Sequence, residues 1–290
     1  MTVNHGYTAS PGPRLHYVTG GSGRPVVLLH GFPDFWYGWN LQIEPLVGAG
    51  YCVIVPDQRG YNLSDKLSHV GAYRMDELAS DVLRLVNEVA PGQRISLIGH
   101  DWGAAVAWWI AVVHSERLER LAILNVPHPL IFEQTLMRNP RQLMRSWYAG
   151  MFQIPTLPER LLAANNWQGM QLALRATSHR DTFSQADLAL YREAWSQPGA
   201  ITAMLNWYRA AVRHRRHLPA NPRVHVPTLV LWGAGDVALS RDMAEPSRAM
   251  CDDGRLVLFE HASHWVHRDE PQRVNEMLLR FLRDGTAGVP

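Results

Sequence analysis

The sequence predicts an α/β fold: a mostly parallel sheet with helices on both faces, interrupted by one inserted helical segment. Short apolar runs of strand length alternate with helical stretches, the rhythm of a sheet built from strand and helix units. Between one such run and the apolar helix after it stands Gly99-His100-Asp101-Trp102-Gly103, the spacing of a sharp strand-to-helix turn. The rhythm stops after Asn125-Val126-Pro127-His128-Pro129 and resumes at Val226-Pro227, and the residues between are rich in helix formers and aromatics without a strand pattern.

Taken in order, apolar runs place strands at 15–18, 26–29, 52–55, 95–98, 121–124, 228–231 and 256–259. The fourth, Ile95-Ser96-Leu97-Ile98, is followed across the turn by Ala104-Ala105-Val106-Ala107-Trp108-Trp109-Ile110-Ala111-Val112-Val113, apolar on every face and so a buried helix. Residues 1–128 and 220–290 read as the two parts of one core and 129–219 as the insertion. The chain has 290 residues with 47% apolar content, enough for a large core.

Charge is balanced, with 28 Lys and Arg against 26 Asp and Glu. Neither nucleic acid nor an anionic membrane surface is therefore an expected partner. The local basic run Arg213-His214-Arg215-Arg216-His217 reads as a solvated helix end before Pro219. Cys52 and Cys251 are too few for a disulfide framework. The first ten residues lack a charged-then-apolar leader, and the longest apolar run, 104–113, falls short of the roughly 18 residues of a membrane span. These features lead us to expect a cytoplasmic protein with no membrane span, either a monomer or a homodimer.

The pentapeptide carries the chemistry. A Gly-x-nucleophile-x-Gly turn usually presents serine, and here it presents Asp101. Serine attacking saturated carbon would leave an ether, whereas a carboxylate leaves an ester that water can cleave. Asp101 thus points to a substrate electrophilic at saturated carbon, an epoxide or an alkyl halide. A plain helix-capping aspartate is the alternative, but a cap does not require both flanking glycines.

In open α/β sheets, sites gather at the carboxyl ends of strands. Strand 26–29 is followed by His30-Gly31-Phe32-Pro33, whose turn can aim the Phe32 N–H at the site and form an oxyanion hole with the Trp102 N–H. Strand 228–231 leads to Asp236 and strand 256–259 to His264, so nucleophile, acid and histidine follow in the chain order that accompanies this turn. Asn125 occupies the other position from which an acid can come. His261, His264 and His267 admit a metal reading, but their spacing is no standard zinc pattern and no cysteine is near.

HGFPDFWYGW, DQRGYNLSDK, GHDWGA, LWGAGDVAL and SHWVHRDEP, in that order, resemble the α/β-hydrolase-fold epoxide hydrolases over nearly the whole chain. HGxP and GHDWG are shared with haloalkane dehalogenases. The resemblance implies an eight-stranded sheet under a helical cap, and two cap tyrosines that hold and protonate the epoxide oxygen. Asn206-Trp207-Tyr208-Arg209 resembles the second tyrosine motif. The first is matched by Trp147-Tyr148 with Phe152-Gln153 following. Tyr73 and Tyr191 lack such context and read as structural. Asn62 stands where related sequences often carry glycine, and asparagine tolerates a left-handed backbone.

The expected mechanism follows. Asp101 attacks an apolar epoxide while Tyr148 and Tyr208 protonate its oxygen, and His264, oriented by Asp236, activates the water that releases a vicinal diol. Phe32, Trp102 and Trp207 are expected to contact substrate. No cofactor or metal is called for. A dehalogenase would need a second halide donor beside Trp102; Phe32 replaces the usual asparagine, which leaves Trp147, Trp167, Trp195 and Trp207. A protein that binds a ligand without turnover is the reading from another class.

Overall fold

The structure, a computed structural model, describes residues 3–214 and 218–284. Its strands are β1 (Asn4–Tyr7), β2 (His16–Gly20), β3 (Pro25–Leu29), β4 (Cys52–Pro56), β5 (Ile95–His100), β6 (Leu118–Leu124), β7 (Thr228–Gly233) and β8 (Gly254–Phe259). They form one eight-stranded sheet in the order β1-β2-β4-β3-β5-β6-β7-β8. The β1–β2 and β2–β4 pairs are antiparallel and the rest parallel. All seven strands expected from the apolar runs are present. The eighth, β1, has the sequence Asn-His-Gly-Tyr at the sheet edge and is largely exposed, so no apolar alternation marked it.

Along the inner strands side chains alternate between two cores, as the pleat requires. Val27, Leu29, Leu97 and Val230 face one core, while Val26, Leu28, Ile98 and Leu231 face the other. The first core is covered by α2 (Met75–Val89) and α3 (Trp102–Val113), the second by α1 (Asn40–Gly48) and α12 (Pro271–Asp284). Short helices α10 (Ala244–Arg248) and α11 (Val266–Asp269) follow β7 and β8. Helix α3 is buried from Gly103 to Ala111 apart from Ala105, which explains an apolar sequence without a polar face.

Between β6 and β7 the described residues make six helices: α4 (Pro129–Arg138), α5 (Pro140–Arg145), α6 (Trp147–Met151), α7 (Leu157–Ala176), α8 (Gln185–Trp195) and α9 (Ala200–Arg213). Ala164–Trp167 break α7 with non-helical dihedrals. This cap docks on the core through bonds to the backbone. Trp195 donates to Pro33 O at 2.6 Å and Trp207 to Arg59 O at 2.9 Å. The Tyr191 hydroxyl donates to Asp34 at 2.7 Å, and Tyr73 bonds Leu67 O; both are structural. Helix α9 ends at Arg213, and Arg215, Arg216 and His217 of the basic run lie outside the described residues.

Candidate active site

The strand ends deliver the candidate residues in sheet order: Phe32 after β3, Asp101 after β5, Asn125 after β6, Asp236 after β7 and His264 after β8. Sheet order reverses beside β3, the switch point where open α/β sheets leave room for a ligand.

Asp101 turns the chain from β5 into α3 with φ 49° and ψ −126°, a conformation that costs roughly 1–3 kcal/mol. Its side chain makes no capping bond to α3, which removes the helix-cap reading. Strand and helix nearly touch at this turn. A Cβ on Gly99 would lie 2.6 Å from Ala104 Cα, and one on Gly103 2.2 Å from Leu29 O. Both glycines are therefore required by the contact itself.

Asp101 Oδ1 accepts the Phe32 N–H at 2.6 Å, and Oδ2 lies 3.4 Å from His264 Nε2. The other imidazole nitrogen, Nδ1, lies 2.7 Å from Asp236 Oδ2. Asp236 Oδ1 accepts the N–H groups of Ala238 and Leu239 at 2.8 and 2.9 Å. Burial disfavours charge on His264, but Asp236 and Asp101 on its two sides outweigh this and hold its pKa up at about 10. Burial likewise works against the Asp101 carboxylate, and the His264 bond and the Phe32 N–H overcome it, leaving the carboxyl below its ordinary range. The acidic side chains on either side thus favour the charged form of the imidazole.

Asn125 is a site residue that sequence reasoning passed over, treating it only as an acid that is not there. It sits at φ 56°, and its amide donates to Asp236 Oδ2 at 2.9 Å while its carbonyl accepts the Gly233 N–H at 2.9 Å. It thus fixes the acid from the neighbouring strand end. The signal was present, because this is the strand end from which an acid can also come. Asn62 is left-handed as expected, at φ 39°, and donates to Asp57 at 2.8 Å.

A cavity of about 470 Å³ opens over Asp101. Asp101, Trp102, Tyr148 and Tyr208 share it with apolar side chains such as Val126, Phe132 and Leu239. The two tyrosine rings meet edge to face at 5.8 Å, and Tyr208 also meets Trp102 at 5.0 Å. Burial raises the pKa of both phenols, and the Asp101 charge pushes the same way. Both stay protonated across neutral pH.

Two motif segments of the cap are bonded to each other, which sequence alone did not reveal. Gln153 donates to Tyr208 O at 3.2 Å. Buried Arg209 donates to Phe152 O at 2.9 Å and Ile154 O at 3.1 Å, and pairs with Glu159 at 2.8 Å. The residues flanking each tyrosine thus hold the other tyrosine's segment.

Two of the expected substrate contacts, Trp207 and Phe32, are not among the cavity-lining residues. Trp207 does not face the cavity: it is buried, its indole N–H is taken by Arg59 O, and it packs edge-on against Trp102 at 5.9 Å. The Phe32 ring is likewise outside the cavity lining and supports Tyr208 edge-on at 5.3 Å; only its N–H reaches Asp101. His261, His264 and His267 are not assembled as a metal site, since His261 is exposed while His264 is engaged by the carboxylates. Among the described residues the grouping with metal-ligand spacing is Asp34, His100 and His267, whose ligand atoms lie within 4.8 Å of one another beneath the site. Burial holds His100 neutral, at a pKa of about 3, and raises Asp34 to about 7.

A parallel sheet whose strand ends present a turn-held carboxylate, an imidazole and a second carboxylate defines a hydrolase of the α/β class. Residues 24–271 match the alpha/beta hydrolase fold family. The AB hydrolase superfamily protein YfhM of Bacillus subtilis is 43% identical over 94% of this chain and 96% of its own. Epoxide hydrolase 2 of Caenorhabditis elegans is 34% identical over 97% of this chain and 80% of its own. The crystal structure of Bacillus megaterium epoxide hydrolase with an inhibitor matches with TM-score 0.89 at 27% identity, over 96% of this chain and 100% of that one. The chain belongs to the α/β-hydrolase fold family, among the epoxide hydrolases with an inserted helical cap.

Proposed function

We propose that this enzyme opens an apolar epoxide to a vicinal diol through an ester on Asp101. The observation that carries the reading is one cavity shared by a turn-held carboxylate and two protonated phenols. Oδ2 attacks an epoxide carbon in line, and the breaking C–O bond delivers its electrons to the ring oxygen, which takes a proton from Tyr208 or Tyr148. Oδ1, held by the Phe32 N–H, remains as the ester carbonyl.

Esterification removes the Asp101 charge and with it part of what keeps His264 protonated. The imidazolium proton returns through solvent to the phenolate, and neutral His264 becomes a base. It takes a proton from water, and the hydroxide adds to the ester carbon. Phe32 and Trp102 N–H groups receive the oxyanion, a contribution of roughly 3 kcal/mol per donor in a comparable hydrolase. Collapse expels the diol alkoxide, which takes the carboxyl proton, and Asp101 carboxylate and His264 imidazolium are restored.

A halide needs a second donor beside Trp102. Trp167, Trp195 and Trp207 donate to Ser196, Pro33 and Arg59, and Trp147 is exposed, which favours the epoxide over the haloalkane. We place the 129–219 segment as the cap, the enzyme in the cytoplasm, where Cys52 and Cys251 remain free thiols, and its working form as a monomer or homodimer. No helix among the described residues is long and apolar enough to cross a membrane.

A single turnover of styrene oxide in ¹⁸O water tests the mechanism. The label is expected in Asp101, with the first diol unlabelled. Label in the first diol and none in the protein would mean direct attack by water.

A further inference from the structure

We propose that the α4–α6 face of the cap is a docking surface for an anionic lipid bilayer, placing the mouth of the cavity at the source of apolar substrate. Met137, Leu143, Met144 and Trp147 are 72%, 59%, 73% and 66% exposed. They lie on three consecutive short helices, where solitary exposure of one apolar side chain would be ordinary but four together are not. Leu143 and Met144 are held outward, because α5 is pinned from below by one residue. Buried Gln142 donates to Ala238 O at 2.9 Å and accepts the Ser240 N–H at 3.0 Å, leaving its neighbours on α5 facing solvent.

Charge selects the occupant. Arg138, Arg141 and Arg145 are exposed in the same stretch, and no Asp or Glu occurs between Glu133 and Glu159. Glu133 is the single carboxylate of α4–α6, and Glu159 is paired with Arg209. The chain as a whole is balanced, so this local excess is a property of the face. A second copy of the chain docked by the same face would set arginines against arginines. An anionic bilayer supplies the opposite charge, takes the methionine, leucine and tryptophan side chains into its headgroup boundary, and suits arginine stems that reach along apolar surface.

The mouth adjoins this face. Leu136 and Ser146, next along the chain to Met137 and Trp147, line the cavity that reaches Asp101. An apolar epoxide dissolved in lipid would enter there without crossing water. Binding rests on the surface alone, and only the delivery of substrate rests on the epoxide reading.

The test is flotation of the full chain with vesicles of phosphatidylcholine alone or mixed with phosphatidylglycerol, alongside turnover of a dissolved styrene oxide. The wild type is expected to float with the anionic vesicles and to be released by salt. The triple variant Arg138→Gln/Arg141→Gln/Arg145→Gln should bind about a hundredfold more weakly, each arginine near an anionic surface being worth roughly a fivefold factor, while turning over dissolved substrate as the wild type does. Trp147→Ala should weaken binding in the same assay. Wild type that does not float, or a triple variant that floats equally, overturns the proposal, and so does a wild-type dimer that the triple variant dissociates, which would assign the face to a second copy. Absence of turnover with flotation intact would instead strike the epoxide reading.

Discussion

The strand ends of the core and the helical cap both contribute to the cavity, and they hold their side chains by different means. Asp101, Asn125, Asp236 and His264 stand at consecutive strand ends, so sheet register sets their spacing. Tyr148 and Tyr208 have no such frame. Tyr148 sits on the short α6 and Tyr208 on the longer α9, and their relative placement depends on Arg209 and Gln153 bridging one segment to the other. The core is positioned by backbone hydrogen bonds, the cap by a side-chain network, and the two should respond differently to substitution.

The largest divergence is expected in catalysis. Tyr208→Phe should slow formation of the ester by on the order of 10²–10⁴, the range for a positioned proton donor, and leave release of a preformed ester unchanged. Rapid-quench kinetics separates the steps, and equal ester formation in variant and wild type would remove Tyr208 from the chemistry.

Arg209→Met should reach the same tyrosines through packing. It strips donors from Phe152 O and Ile154 O and leaves Glu159 without its ion-pair partner, a loss of roughly 3–5 kcal/mol by analogy with other broken buried pairs. Thermal unfolding should shift downward and ester formation should slow. If the variant melted with the wild type, the proposed bridge would carry no weight.

A pH profile sharpens the contrast from the core side. His264 holds a pKa of about 10 while both carboxylates are charged. In the ester state one charge is gone, so its pKa must fall, and ester release should rise with pH along a limb centred below 10. At pH values under that limb, release should drop tenfold per unit as the base is protonated. Tyr208→Phe should not move the limb, and a limb at or above 10 would show that Asp101 does not sustain the imidazolium.

The smallest effect is expected at Trp207→Phe. The indole N–H satisfies Arg59 O, so its loss should cost about 1 kcal/mol of stability and leave KM for a small epoxide near that of wild type. A large rise in KM would return Trp207 to the cavity wall.

The same contrast governs what could be read from the chain. Strands with apolar runs, the glycine-flanked turn and the order of acid and histidine were legible because period and spacing are local properties of sequence. Edge strand β1 was not, since a short, largely exposed strand at a sheet margin needs no apolar pattern. The tyrosines were legible only through resemblance to a family. Trp207 was misplaced because a motif fixes which residues are neighbours along a helix but not which of them faces the cavity. Asn125 was seen as a missing acid, and its function as the holder of one depends on adjacent strands that only the fold brings together.

Intact-protein mass spectrometry of His264→Gln after exposure to styrene oxide, with a haloalkane in parallel, tests the central claim most directly. A mass increase equal to the whole epoxide, absent when Asp101→Ala is added, is the predicted result. An increase equal to an alkyl group without its halide, an epoxide adduct that persists without Asp101, or no epoxide adduct while the wild type still makes diol would contradict it.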